Sequence, residues 1–206
     1  MTDRAVEGEE AIIQRYLAPL ASACPGAYGL LDDCATIRAP DGHELVVTTD
    51  ALVEGVHFLP GESADAIGWK ALAVNVSDLV AKGAKPLAYV LGLALPEAPD
   101  AEWMGDLAGG LSRAQRAFGI GLAGGDTDRT PGHLGLSITA FGTIPAGRMV
   151  RRSGARPGDR LYVSGTIGDA ALGLRLLRDP SLAAGWGLDE HQARHLLDRL
   201  RYPSPR

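Results

Sequence analysis

The chain has 206 residues, 46% hydrophobic and 22% charged, with a net charge of −5. That composition excludes a disordered chain, and the length suffices to bury a core. No window approaches ~18 uninterrupted apolar residues, which excludes a membrane-spanning helix, and an acidic balance without a basic stripe argues against a nucleic-acid partner.

Glycine and proline supply 27 and 13 residues, well above the usual ~12% together, so loops and tight turns are expected. The length corresponds to about 1.4 domains of ~150 residues. Charge is uneven: residues 1–100 hold 15 acidic and 6 basic side chains, and residues 101–206 hold 10 and 14. Cys24 and Cys34 form neither a C-x-x-C nor a disulfide framework, so a reducing, cytoplasmic setting is expected. The first residues are acidic and carry no apolar run of a signal peptide.

In chain order, apolar spacing at Ile12, Ile13, Tyr16, Leu17 and Leu20 predicts a helix over 9–20. A loop with Pro25, Gly26 and Gly29 follows. Two strands are expected at 34–39 and 44–49, joined by the turn Pro40-Asp41-Gly42-His43. Residues 64–82 read as a helix capped by Ser63 and stopped by Gly83. One of its faces carries Asn75, Asp78 and Lys82. A strand over 87–95, a helix from Asp100 to about 118, a short strand over 119–123 and a polar loop over 124–132 come next. Another strand spans 134–143. Residues 144–160 collect Arg148, Arg151, Arg152, Arg156 and Arg160 among prolines and glycines, which suggests a domain boundary. A strand at 161–164 and helices near 169–177 and 189–200 complete the chain. Hairpins mixed with helices define an α+β class, with a mostly antiparallel sheet flanked by helices.

Several familiar motifs fail on context. Gly119-Ile-Gly121-Leu-Ala-Gly124 matches G-x-G-x-x-G, yet it follows a helix instead of opening one. His191 and His195 lie four apart without a following Glu or a third ligand, so a solvated helix face is favoured over zinc. No Walker lysine loop and no G-x-S-x-G is present.

A second group of residues is more coherent. Asp32-Asp33, Asp50, Asp78 and Asp126 each sit at the edge of an expected element. Adjacent carboxylates repel unless screened, and hard oxygen ligands suit magnesium. Thr48 and Thr49 add hydroxyl oxygens. Turns also favour Asp on structural grounds, so this pattern is suggestive by itself. Gly124-Gly125-Asp126-Thr127 can present backbone N–H groups to an anion, or simply form a tight turn. Arg152 can hold a phosphate or lie in a solvated linker, and a lone His57 in a loop is more often structural.

The strings Thr48-Thr49-Asp50-Ala51-Leu52-Val53-Glu54-Gly55-Val56-His57-Phe58 and Trp69-Lys70-Ala71-Leu72-Ala73-Val74-Asn75-Val76-Ser77-Asp78-Leu79 closely resemble the thiamine-monophosphate kinase family. So do Gly124-Gly125-Asp126-Thr127, Arg152-Ser153-Gly154-Ala155-Arg156-Pro157-Gly158-Asp159 and Val163-Ser164-Gly165-Thr166-Ile167-Gly168-Asp169. The family belongs to a superfamily of aminoimidazole-ribonucleotide-synthetase-like ATP-using enzymes. The resemblance implies ATP- and Mg²⁺-dependent phosphorylation of thiamine phosphate to thiamine diphosphate, with several Mg²⁺ ions. It also implies a homodimer whose N-terminal domains pair their sheets into a barrel. By the same resemblance Asp33, Thr48, Thr49, Asp50, Asp78 and Asp126 are metal positions. Gly125, Asp126 and Arg152 are ATP contacts, and His57 is a thiamine-phosphate contact. No general base is assigned, because thiamine phosphate brings its own nucleophilic oxygen.

Three departures stand out. Leu31 precedes Asp32-Asp33 where the family usually has glycine, and leucine takes positive φ only at a cost, so a displaced loop is expected. Asp128 adds a carboxylate where the family commonly has threonine. By the resemblance, Arg206 falls soon after the second domain begins. The implied division is 1–145 as the metal- and ATP-binding, dimerising domain, and 146–206 as linker and the incomplete beginning of a second α+β domain. The alternatives are another synthetase of the superfamily, or a nucleotide- and metal-binding dimer module without turnover.

Overall fold

A computed structural model describes residues 8–206. The described chain falls into two compact units, one running to Met149 and the other spanning Val150–Ser204.

The first unit opens with a short helix α1 (Gly8–Ile12) that widens into a π turn over Ile13–Leu17 and tightens to 3-10 over Ala18–Ala23. The expected single helix breaks here because Pro19 has no N–H to give to the helical ladder. A second 3-10 stretch, Pro25–Leu30, places Tyr28 and Leu30 at positive φ, 50° and 57°. Leu31 itself has φ −99°, so the unusual backbone falls one residue before the expected position.

Four strands form the sheet: β1 (His43–Val53), β2 (Lys85–Leu95), β3 (Gly121–Arg129) and β4 (Gly135–Pro145). Their order is β1-β4-β2-β3. β1–β4 and β4–β2 are antiparallel, and β2–β3 is parallel. The parallel pair follows from the intervening helix α3 (Ala101–Phe118), since parallel neighbours need a long crossover. The register of β2 slips between Pro86 and Ala88, where proline cannot donate to the ladder.

Two corrections to the expected strands follow. Residues 34–39 form no strand. Residues 124–129, expected as a loop, continue β3, because β2 offers a pairing partner along its whole length and the polar side chains emerge at an exposed edge.

Helix α2 (Ala64–Ala81) starts where Ser63 Oγ accepts from the Ala66 N–H at 3.2 Å. Asp100 Oδ1 likewise accepts from Trp103 N–H at 2.7 Å to start α3. The two helices pack closely. A methyl group built on Gly110 would collide with the Asp65 carbonyl. The core joins α2 and α3 to the sheet through Leu72, Leu79, Tyr89, Met104, Leu107, Leu122 and Ile138. Burial raises the Tyr89 phenol pKa well above its ordinary value, opposed by Gln115, whose Nε2 donates to Tyr89 Oη at 3.1 Å and to the Leu20 carbonyl at 2.9 Å. Every buried side-chain polar atom among the described residues has a partner.

The second unit contains α4 (Asp169–Arg178), the single turn α5 (Leu182–Gly185) and α6 (Glu190–Arg201). Asp189 and Gln192 form a reciprocal cap at the start of α6. α4 is tied to α6 by His195 Nε2 and Asp169 Oδ2 at 3.1 Å. The Thr166 hydroxyl bond, then His195, hold the Asp169 carboxyl below its ordinary pKa. The strand expected at 161–164 does not form. Leu161 and Tyr162 are almost fully exposed, and no strand lies beside them in this unit to complete a ladder.

Candidate functional site

The site residues are best placed by following β1. It is an edge strand, so half of its backbone groups face away from β4. At Asp50 the face of the sheet that carries Val46 and Leu52 meets α2, which packs across β1 and β4. The Asp50 N–H donates to Asn75 Oδ1 at 3.0 Å, and Asn75 Nδ2 donates to the Ala71 carbonyl at 3.0 Å. A backbone N–H can only donate, so the Asn75 amide has one possible orientation. Asn75 is completely buried. Three residues further along the helix, Asp78 Oδ2 accepts from the Thr48 hydroxyl at 2.9 Å. Thus α2 gathers Thr48, Asp50 and Asp78 at one seam.

Alternation along the strands divides the remaining candidates. Thr48 and Asp50 share the helix-facing side with buried Val46 and Leu52. Thr49 is on the opposite side, where its hydroxyl donates to the Ile138 carbonyl and accepts from Thr139 Oγ1, both at 3.1 Å. Asp126 is in register with Gly92, Gly92 with Ser137, and Ser137 with Ala51. These four residues make one row across the outer face and line a groove of about 250 Å³, with Asp128 at its rim. Asp33 is found in a third place. It lines a cavity of about 520 Å³ with Asp32, Leu31, Gly124 and Gly125.

The structure therefore joins Thr48, Asp50 and Asp78 at one seam. It separately joins Asp33 with Gly125, and it puts Asp126 and Thr49 on the outer sheet face. Among the described residues no three His, Cys, Asp or Glu side chains converge on a single metal position. The donor chemistry still fits Mg²⁺. Every candidate offers a hard carboxylate or hydroxyl oxygen, with no thiolate among them. Gly125 also has a packing role, since a methyl group there would collide with the Leu91 carbonyl on β2. His57 is exposed in a turn after β1. Arg152 opens a 3-10 turn in the second unit.

Asn75 is the residue whose importance the sequence signalled least. Its marks were a polar side chain inside a helix, three residues before Asp78, and a place in one of the family-like strings. Asn75→Leu removes the acceptor for the Asp50 N–H at nearly constant volume. We expect a loss of about 1–3 kcal/mol, the cost of an orphaned partly buried donor, read as a lower urea midpoint at unchanged slope.

Residues 31–144 match the model of AIR synthase related protein, N-terminal domain. The chain belongs to that family. It is also similar to the thiamine-monophosphate kinase of Caulobacter vibrioides, at 44% identity over 194 residues, covering 94% of this chain and 53% of the relative. Among solved structures, the thiamine-monophosphate kinase of Stenotrophomonas maltophilia K279a aligns with a TM-score of 0.77 and 42% identity, covering 86% of this chain and 55% of that one. AaThiL complexed with AMPPCP and TMP aligns with a TM-score of 0.71 and 33% identity, covering 88% of this chain and 60% of that one. The chain thus spans little more than half the length of the relatives it matches. Its α+β sheet with flanking helices is the fold of these neighbours.

Proposed function

We propose that this chain provides the nucleotide- and metal-binding part of a kinase that transfers the γ-phosphoryl group of ATP to thiamine phosphate, giving thiamine diphosphate. The observation that carries this reading is the β1–α2 seam, where Asn75 and the Thr48–Asp78 bond hold Asp50 and Asp78 on a rigid strand and helix. Phosphoryl transfer needs positioning and charge neutralisation more than covalent help. A buried, fully bonded backing supplies the positioning.

In this reading Asp33, Thr48, Thr49, Asp50, Asp78 and Asp126 would hold Mg²⁺. When bound, the metal neutralises phosphate charge. Gly125, Asp126 and Arg152 contact ATP. β3 is an edge strand, so alternate N–H groups leave the sheet beside the Asp33 cavity, where an anionic phosphate finds donors. His57 contacts thiamine phosphate. Residues 1–145 form the binding and dimerising domain, and 146–206 lead into a second one, in a cytoplasmic enzyme. The dimer uses the outer sheet face, where Leu45 and Val47 of β1 are 40% and 56% exposed. Such a face is apolar enough to pair with a second copy.

The test is calorimetric titration with Mg·ATP, then chromatographic detection of thiamine diphosphate after adding thiamine phosphate. We expect Mg·ATP binding by the chain and thiamine diphosphate from the protein at the length of its relatives. No binding of Mg·ATP, or no thiamine diphosphate from the longer protein, would overturn the reading.

A further inference from the structure

We infer that His57 recognises a phosphate-bearing ligand as a neutral hydrogen-bond donor, through an Nε2–H whose tautomer is fixed by the turn that carries it. This rests on the reading of His57 as a contact for the phosphorylated acceptor.

The turn closes on itself. The His57 and Val56 N–H groups donate to the Val53 carbonyl at 2.9 and 3.1 Å, and the Gly55 N–H donates to the Phe58 carbonyl at 2.8 Å. Phe58 anchors the turn in the core. The Lys70 ammonium, almost buried in α2, reaches the His57 carbonyl at 3.5 Å. Within this frame the Val53 N–H donates to His57 Nδ1 at 3.0 Å. An amide N–H cannot accept, so Nδ1 must offer its lone pair. A neutral ring then carries its proton on Nε2, while an imidazolium would face one N–H with another. The ring is exposed, and Nε2 has no protein partner among the described residues.

The consequence is a donor with one direction and no net charge. It selects an acceptor oxygen by position, and the carboxylates and arginines carry the charge balance. The same ring also holds the turn, so the two nitrogens have separable duties. Glutamine can place an N–H near the Nε2 position but loses the local acceptor. Asparagine can place Oδ1 near the Nδ1 position but loses the distal donor.

The experiment uses the 206-residue chain with ¹⁵N-labelled histidine rings. Long-range ¹H–¹⁵N spectra should show His57 with protonated Nε2 and bare Nδ1, and the Nε2–H should shift when thiamine phosphate is added. A proton on Nδ1, or on both nitrogens in the complex, overturns the inference. His57→Gln should bind thiamine phosphate on the order of tenfold more tightly than His57→Asn. Equal binding by the two, or tighter binding by His57→Asn, would reduce His57 to a turn residue and overturn it too. Inorganic phosphate separates this idea from the functional reading. A His57 ring that responds to inorganic phosphate but not to thiamine phosphate keeps the donor assignment and removes the substrate. Thiamine phosphate that binds without moving the ring keeps the substrate and removes the donor assignment.

Discussion

Gly110→Val should destabilise the first unit by about 3 kcal/mol or more, seen as a large fall in the urea midpoint. The physical cause is a backbone collision. A side chain at Gly110 meets the Asp65 carbonyl at the start of α2, and a carbonyl in a helix cannot rotate away. Overpacking of flexible side chains costs ~1–3 kcal/mol, and rigid backbone relaxes less. Helix propensity alone argues the other way, since glycine is worse than alanine by ~1 kcal/mol. Gly109→Ala is therefore the control. Nothing lies within 4 Å of a methyl group there, so that variant should be as stable as the parent or slightly more so. If Gly110→Val unfolds at the parent's midpoint, the close approach of α2 and α3 is wrong. The effect would reach the site, because α2 carries Asn75 and Asp78.

Asp50→Asn should leave the fold intact and remove turnover. Asn keeps the backbone N–H that Asn75 accepts, so the β1–α2 seam survives. What changes is one unit of negative charge at an exposed position on the helix-facing side of an edge strand. Losing a residue that merely orients a metal ligand costs ~10–100-fold in metal affinity or activity, so losing a ligand should cost at least on the order of a hundredfold. Thiamine diphosphate formation by the longer protein, measured across Mg²⁺ concentrations, is the readout. An unchanged rate, with an unchanged Mg²⁺ dependence, would take Asp50 out of the metal site. The contrast with Asn75→Leu is diagnostic. That variant should lose stability first and activity as a consequence, whereas Asp50→Asn should lose activity alone.

Much of this was readable from residues in order. Ser63 and Asp100 marked the starts of α2 and α3 because a cap is a local bond, made within three residues. The β2 strand followed from a run of apolar residues, and β4 from alternation over 134–143. Harder to read were positions whose state depends on a distant partner. Residues 124–129 looked like a polar loop, yet β2 pairs with them throughout. Residues 34–39 and 161–164 had strand-like composition, and neither has a neighbouring strand to complete a ladder. Proline at position 19 is visible in the sequence, but the split of the first helix into π and 3-10 turns depends on the backbone around it.

The candidate site divides in the same way. The sequence by itself determined which chemistry is on offer: hard oxygen donors spaced between apolar elements, and the ordered strings that resemble one family. Tertiary structure decided which donors meet. Asp50 and Asp78 are 28 positions apart, and only the packing of α2 on the sheet brings Thr48 to Asp78 and Asn75 to the Asp50 N–H. Thr49 and Asp126 leave by the other face, because each step along a strand reverses the side chain and register fixes which face it takes. Hydrogen bonds at caps and turns are local, so sequence reports them. Strand register and helix packing are settled by contacts across the whole fold, so only the folded chain shows that the carboxylates fall into separate places.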